Sequence, residues 1–440
     1  MENKIEECLN ALPQALIPTT VLPSPNSSIE LFNGAFQISF GDNPIDFFGE
    51  ITFSWKPNPH IYFKAETSVD IFSRSNAPEK LLIKDMQIEH GTIQLTAQRN
   101  NMVRGKITGP FRIVHQNKHV DRITFEIPNL RNYNGLPIKN GRNFSRSRLQ
   151  WKDEAFTFTI DQLGNFSSTL EKLKEEGGFG LTHTGEIQAT SGVIDPNEIS
   201  DITDRLRLFI SFLNGKKTFP TFLHCYAGAE CVWEDYSPAD SDGYLEIDTW
   251  LPFVKDPKLD DLWQGFNVAI KNEDDYQCVD YMLHWLFEAN KNSALVEGSI
   301  VLLQNAFELL FNWKLKKKQD GKLSADEKIR RLLQHAAIDV GFHPDYDEML
   351  SELKSTGLYF DDFPRLFTLI RNAIVHSDQN KRTQLAKFSG INRFYIKHIA
   401  LHHMELLLLH LFGYKGMYCN RLPMVRYTGT NEEQVPWNPL

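Results

Sequence analysis

The sequence predicts an α+β protein, with a β-rich N-terminal domain, antiparallel and sandwich- or barrel-like, followed by an all-α C-terminal bundle. Three observations predict it. From residue 29 to about residue 160, short runs alternate apolar and polar side chains with period two, broken by Gly, Asn and Pro. From residue 276 onward the apolar residues recur with the helical period in long segments. Between the two regimes, residues 252–275 carry Pro, Lys and Asp and mark a boundary zone. The expected divisions are an N-terminal segment and linker at 1–28, a β-rich sensor or regulatory domain at 29–255, a helical domain at 265–420 and a tail at 421–440.

Residues 1–28 pass from a short helical pattern into Ile17-Pro18-Thr19-Thr20 and Pro23-Ser24-Pro25-Asn26-Ser27-Ser28, which read as linker. Alternation then places strands at 36–40, 51–55, 61–65, 91–95, 122–126 and 155–160. Residues 168–176 read as a polar helix. The glycine-rich stretch Gly177-Gly178-Phe179-Gly180 lacks the lysine of a phosphate-cradling loop and opens no clear helix, so it reads as a turn into a strand holding Thr182-His183-Thr184. A helix follows at 199–215, capped by Ser200 or Asp201 and stopped by Asn214-Gly215. Strand-like pieces follow at 219–234. The acidic stretch at 236–243 lacks the ordered ladder and terminal glutamate of a calcium loop and reads as a solvated turn.

The helical half begins with an aromatic-rich amphipathic segment at 276–290. A long helix is expected at 293–318, with Leu295, Ile300, Leu303, Phe307, Leu310 and Phe311 on one broad face. It ends in the densest basic cluster of the chain, Lys314-Leu315-Lys316-Lys317-Lys318. Ser324-Ala325-Asp326-Glu327 resembles a capping box at the start of the next helix, whose exposed side includes Lys328, Arg330 and Arg331. Residues 340–360 read as a looser connection, Asp361-Asp362 as a helix start, and 390–412 as the last long helix.

Composition narrows the function classes. The 440 residues carry a net charge of -9, which argues against a protein constitutively coated with nucleic acid. The charge is uneven: over 275–421 Lys and Arg slightly outnumber Asp and Glu, so this half is the less hostile surface for RNA. The five cysteines are odd in number and scattered, as suits reduced thiols in a cytosol. Cys225 and Cys231 stand six apart without a second close pair and read as buried thiols. No apolar run reaches the length of a membrane span and no secretory leader pattern opens the chain, so a cytoplasmic protein with no membrane partner is expected. His398 and His402 are one helical turn apart, but no HExxH and no matched cysteine or carboxylate pair accompanies them. No metal and no cofactor is expected.

The segment that carries chemistry is Phe367-Thr368-Leu369-Ile370-Arg371-Asn372-Ala373-Ile374-Val375-His376-Ser377-Asp378. Phe367, Leu369, Ile370, Ile374 and Val375 suit a buried helix face, into which an arginine, an asparagine and a histidine are set. Asn372 and His376 lie about 40° apart around a helix. Arg371 and His376 lie about 140° apart, so they converge only where the helix ends or distorts near the histidine. RNA can be cut without a metal when its own 2′-hydroxyl attacks the adjacent phosphate. The protein then has to move protons, which histidine does near neutral pH. It has to neutralise charge on the phosphorus oxygens, which arginine does as a fixed planar cation. Asparagine can orient either group.

An R-N-x-x-x-H motif within a C-terminal helical bundle resembles the catalytic motif of HEPN-superfamily ribonucleases, and the two-part layout resembles the ApeA-like HEPN proteins of bacterial antiphage defence. The resemblance implies a metal-independent endoribonuclease of abortive infection that cuts cellular RNA, with tRNA a candidate, and leaves 2′,3′-cyclic phosphate ends. It implies His376 as general acid/base, Arg371 as phosphate stabiliser and Asn372 as positioning group. It further implies a homodimer through the helical domain, restraint by the N-terminal domain, and a phage-encoded trigger. Glu308, an acid on an apolar helix, would orient Arg371; Asp378 would support His376 or cap a helix. Lys314, Lys316, Lys317, Lys318, Arg330 and Arg331 would track the RNA backbone. The other reading is a non-catalytic HEPN dimerisation or adaptor protein with a ligand-binding β domain.

Overall fold

The structure, a computed structural model, describes residues 11–72, 76–116, 118–141, 143–190, 192–317, 322–376 and 378–438. The fold is mixed α+β, with a large antiparallel sheet in the N-terminal part and a helical C-terminal part. The chain forms two compact units: residues 1–207 with 217–245, and residues 208–216 with 246–440.

The first unit holds strands β1 (Ile29–Phe40), β2 (Asn43–Ser54), β3 (His60–Glu66), β4 (Lys80–Leu82), β5 (Gln87–Arg99), β6 (Met102–Val114), β7 (Arg122–Pro128), β8 (Leu136–Asn140), β9 (Asn143–Lys152), β10 (Phe156–Gln162), β11 (Leu181–Ala189), β12 (Thr221–Ala227) and β13 (Glu230–Asp235). By hydrogen bonding they form one sheet, not two, in the order β4-β1-β2-β3-β6-β13-β12-β7-β11-β10-β9-β8, with β5 paired to β6. Among the described residues, seven of the twelve pairings join strands consecutive in sequence, all but β10–β11 through short connections. Asn100, in the turn between β5 and β6, and Gly41, in the turn between β1 and β2, both take positive φ. The pairings β1–β4, β3–β6, β7–β11, β7–β12 and β6–β13 join strands distant in sequence, and β13, between β6 and β12, joins the two halves of the sheet.

Alternation puts Phe36, Ile38, Ile51, Phe53, Ile61 and Phe63 into one core. Trp55 is fully buried in it, 4.9 Å from the Phe53 ring and 5.5 Å from that of Phe179. The glycine-rich stretch does turn into a strand. Helix α1 (Phe166–Glu176) ends at Gly177 with φ 64°, and Thr182-His183-Thr184 lies buried in β11. Burial lowers the His183 pKa to about 3.

The N-terminal stretch expected as linker is instead tied down along the sheet. Ala15 N donates to Lys139 O (2.8 Å) and Lys139 N to Pro13 O (2.9 Å), so Gln14 pairs in parallel with the end strand β8. Leu16 N donates to Asp161 Oδ2 at 2.8 Å, and Arg148 Nη2 to Gln14 O at 2.8 Å. The buried Arg148–Asp161 pair is itself held by two bonds of 2.7 Å. Thr19 N, Thr19 Oγ1 and Thr20 N all donate to Glu126 Oε1, at 2.9, 3.0 and 3.0 Å.

The second unit takes residues 208–214 of α2 (Ile199–Asn214), then α3 (Leu259–Ala269), α4 (Glu273–Lys291), α5 (Leu295–Leu310), α6 (Ala325–His335), α7 (Asp347–Ser355), α8 (Phe363–Val375), α9 (Gln379–Leu385) and α10 (Gly390–Leu411). Helix α10 is buried on every side from Ile396 to Leu409, as a central helix of a bundle must be. The helix expected over 293–318 ends its α-helical part at Leu310 and closes in a π-helical turn, Phe311–Leu315. The connection expected at 340–360 contains α7, and the boundary zone contains α3.

The tail belongs to this unit. Strands β14 (Met417–Cys419) and β15 (Glu432–Gln434) pair with each other. Arg421, 2% exposed, donates to Glu405 of α10 through Nε (2.5 Å) and Nη2 (2.7 Å). Its remaining donors reach Asp248 O at 2.7 Å and Asn290 Oδ1 at 3.2 Å. Among the described residues no helix is long and apolar enough to cross a membrane.

Candidate functional site

Helix α8 positions the motif. Asp362 caps its N-terminus by accepting from Arg365 N at 2.9 Å, and Pro364 sits in the first turn, where its missing N–H costs nothing. Phe363, Leu366, Phe367, Ile370 and Ala373 are buried. The Phe367 ring lies 5.7 Å from Phe307 of α5, and Phe363 lies 4.5 Å from His403 of α10. The apolar face therefore docks on α5 and α10. The polar groups lie toward the C-terminal end.

There the helix stops. Val375 is its last residue and His376 its C-cap, with φ −91° and ψ 4°. His376 N still donates to Asn372 O at 3.1 Å, and its imidazole is exposed. Arg371 and Asn372 are half-buried, and Arg371 Nη1 donates to Asn372 Oδ1 at 3.1 Å. Arg371 Nε is buried without a partner. The structure thus brings Arg371 and Asn372 together, and ends the helix at the histidine. Among the described residues neither side chain forms a hydrogen bond with the His376 imidazole.

The supporting residues do other work. Glu308 pairs with Lys328 of α6, 3.3 Å away, and not with Arg371. The reason is position: Lys328, not Arg371, reaches its carboxylate. Asp378 caps α9, accepting from Lys381 N at 3.0 Å, and its own N–H bonds His376 O; its carboxylate does not hold the imidazole.

The basic residues divide. Lys314 Nζ sits 3.5 Å over the Trp313 ring and 3.8 Å from Asp275 Oδ1. Lys316 and Lys317 are exposed, and Lys318 lies outside the described residues. Arg330 is held by carboxylates. Its Nε donates to Asp362 Oδ2 and its Nη1 to Glu327 Oε2, both at 2.7 Å, and these carboxylates raise its proton affinity further. Arg331 Nε donates to Glu327 Oε1 at 3.2 Å. Arg330 thus locks α6 to the start of the motif helix. Asp362→Ala is expected to cost about 1–2 kcal/mol by removing both cap and ion pair, whereas Asp362→Asn keeps the cap and costs less than half of that. Urea unfolding of the two variants checks this; equal losses would show that the cap contributes nothing.

Three of the four histidines of α10, His398, His402 and His403, are buried. His398 Nε2 meets Arg421 O at 2.8 Å, and burial lowers its pKa to about 4. Burial also drives His402 far down and His403 to about 3. Among the described residues no group of three or more His, Cys, Asp or Glu is placed to hold a metal. Cys225 is buried, and burial pushes its thiol pKa well up.

Sequence reasoning missed Gln304, which is fully buried with both amide atoms unpartnered. It lies one turn before Phe307, as Arg371 lies one turn after Phe367. Thr368 Oγ1, also buried, is unpartnered as well. A glutamine amid the apolar residues of a core-facing helix was the available signal.

Comparison with known proteins places similarity in both parts of the chain. Residues 115–247 match the family model described as YopA central domain, and residues 272–433 match that described as YopA C-terminal domain. No solved structure matches the chain. A protein of Bacillus subtilis (strain 168), named SPbeta prophage-derived uncharacterized protein YopA, is 26% identical to it over 436 residues, covering 94% of this chain and 95% of its own.

Proposed function

We propose that the second unit is a HEPN-type bundle, and that the protein is a metal-independent endoribonuclease of antiphage defence, similar to the ApeA-like proteins. The observation that carries the reading is the end of α8. A half-buried guanidinium with an unused donor, an amide bonded to it, and an exposed imidazole at a helix terminus lie within six residues. His376 takes the 2′-hydroxyl proton and returns one to the leaving 5′-oxygen. Arg371 neutralises the phosphorane oxygens, held in orientation by Asn372. The products are a 2′,3′-cyclic phosphate and a 5′-hydroxyl.

One chain supplies a single Arg and a single His, which is sparse for two proton transfers and charge neutralisation. Two copies pairing their motif helices complete the site. The exposed apolar side chains of Val375, adjoining His376 in the chain, and of Ile391 and Phe394 on α10 support such pairing. The N-terminal unit restrains the activity until infection, when a phage-encoded trigger acts. The prophage origin of the Bacillus subtilis relative is consistent with a role in contests between phages.

Wild type and His376→Ala, each induced with and without phage, test the reading on a denaturing gel of total RNA. Discrete new fragments, tRNA-derived ones being sought first, are expected with wild type and absent from the variant. If protection survives His376→Ala at equal protein level with no RNA cut, the ribonuclease reading fails. The non-catalytic adaptor with a ligand-binding β domain then replaces it.

A further inference from the structure

We propose that the groove holding residues 13–20 on the first unit is a binding site for an extended peptide, and that this strap is a resident stand-in which an extended segment of a partner protein replaces. The groove starts at the end strand β8 and crosses the face over β9, β10 and β11 to β7. It grips the strap almost wholly through its backbone. The N–H groups of Ala15, Leu16, Thr19 and Thr20 and the carbonyls of Pro13 and Gln14 are bonded to Lys139, Asp161, Glu126 and Arg148. The Thr19 hydroxyl is the one strap side chain in this set. Ile17 and Pro18 make none of these bonds, so proline falls where its missing N–H is not needed.

The side chains tell the same story. No residue from 13 to 20 is buried, and Ile17 is 86% exposed. The first side chain to enter the core is Leu22, just beyond the strap. A segment selected for packing would bury its own side chains. This one presents only what every peptide carries. The groove, by contrast, is built: Glu126 is fully buried, and its Oε2 has no partner. Between the strap and the end of β10 lies a cavity of about 550 Å³, walled on one side by the strap's own Leu16 and Ile17 and on the other by Gln162, Leu163 and Asn165, so the strap does not fill the space beside the groove. Pairing of a backbone segment with an end strand is strand addition, the mode by which sheets capture extended peptides. The fitting partner is an extended segment with free N–H groups at the four bonded positions, Ser or Thr at the place of Thr19, and proline tolerated just before it.

The test uses the full chain and a fluorescein-labelled peptide with the sequence of residues 11–24. Thr19→Pro in the chain removes two of the three donors to Glu126 and frees the groove. Wild type is expected to bind the peptide weakly, because the tethered strap competes at a millimolar effective concentration, and the variant at least about tenfold more tightly. A peptide carrying the same Thr→Pro change is expected not to bind. Equal affinity for both chains, or no binding to a Thr19→Pro chain of unchanged circular dichroism, overturns the proposal. Should that variant fail to fold, hydrogen exchange on wild type decides. Strap amides are expected to exchange through local opening, well before those of β7; equal protection in the two makes the strap an integral part of the sheet and ends the idea.

Discussion

Glu405→Ala is expected to destabilise the second unit by about 3–5 kcal/mol, the usual cost of stripping the partner from a buried charge. Arg421 is 2% exposed and gives two of its bonds to this carboxylate. After the change its guanidinium keeps as hydrogen-bond acceptors only the Asp248 carbonyl and the Asn290 amide oxygen, and the carboxylate still attracting it is that of Asp248, which does not hydrogen-bond it directly. The Trp250 N–H also loses its acceptor, Glu405 Oε1 at 3.2 Å. The two single changes, Glu405→Ala and Arg421→Ala, are therefore strongly non-additive. A double Glu405→Met, Arg421→Met chain is expected to recover much of the loss, because well-packed apolar groups replace a buried pair at little cost. Urea unfolding of the three variants checks it, with hydrogen exchange in α10 localising the effect. A loss below about 1 kcal/mol in either single variant would refute the role given to the pair.

The first unit is expected to lose stability as pH rises toward neutrality, through Glu126. Its carboxyl is buried, which raises its pKa from 4.5 to about 7, although the bonds from Thr20 and Thr19 pull the other way. The folded chain therefore holds a proton that the unfolded chain has released. The stabilisation is full below about pH 4.5 and is lost as pH climbs to about 7, by roughly 3 kcal/mol at most. His183 acts in the opposite sense. Its pKa is lowered to about 3, so it destabilises the fold as pH falls below its ordinary value of 6.5. The informative quantity is thus the difference between wild type and Glu126→Gln from pH 4.5 to 8. That difference should move in favour of the glutamine variant as pH rises. A constant difference would place the proton elsewhere.

The division into sheet and bundle was legible because two periods cannot be confused over long stretches. What escaped is where local pattern and final environment part company. Strand β6 contains Gly105, Gly109 and Pro110, residues that read as turn signals. Strand β9 carries Ser147 and Arg148 inward, because Asp161 on β10 neutralises the arginine across the ladder. Helix α9 buries nothing, so it leaves no apolar stripe to detect. The motif stands out because its three residues keep a fixed spacing at the end of one helix. Its neighbours do not. Whether Glu308 meets Arg371 or Lys328, and whether Arg330 faces solvent or Asp362, depends on how α5, α6 and α8 cross, which spacing along the chain does not encode.

The position of β13 sets an order of events in the making of the protein. Val114 of β6 and Cys225 of β12 both pair with Trp233, so one six-residue strand joins the two halves of the sheet. Until those residues leave the ribosome, β1–β6 and β7–β12 are two separate sheets. Each has an inner edge with unpaired N–H and C=O groups, at Arg112–Val114 of β6 and along β12. The β6 edge waits through the synthesis of more than a hundred further residues. Closing so distant a contact is slow, and an open edge invites pairing with another nascent chain. The newborn chain is thus most exposed to mispairing in the interval just before β13 arrives, and its final strand is what makes the sheet safe.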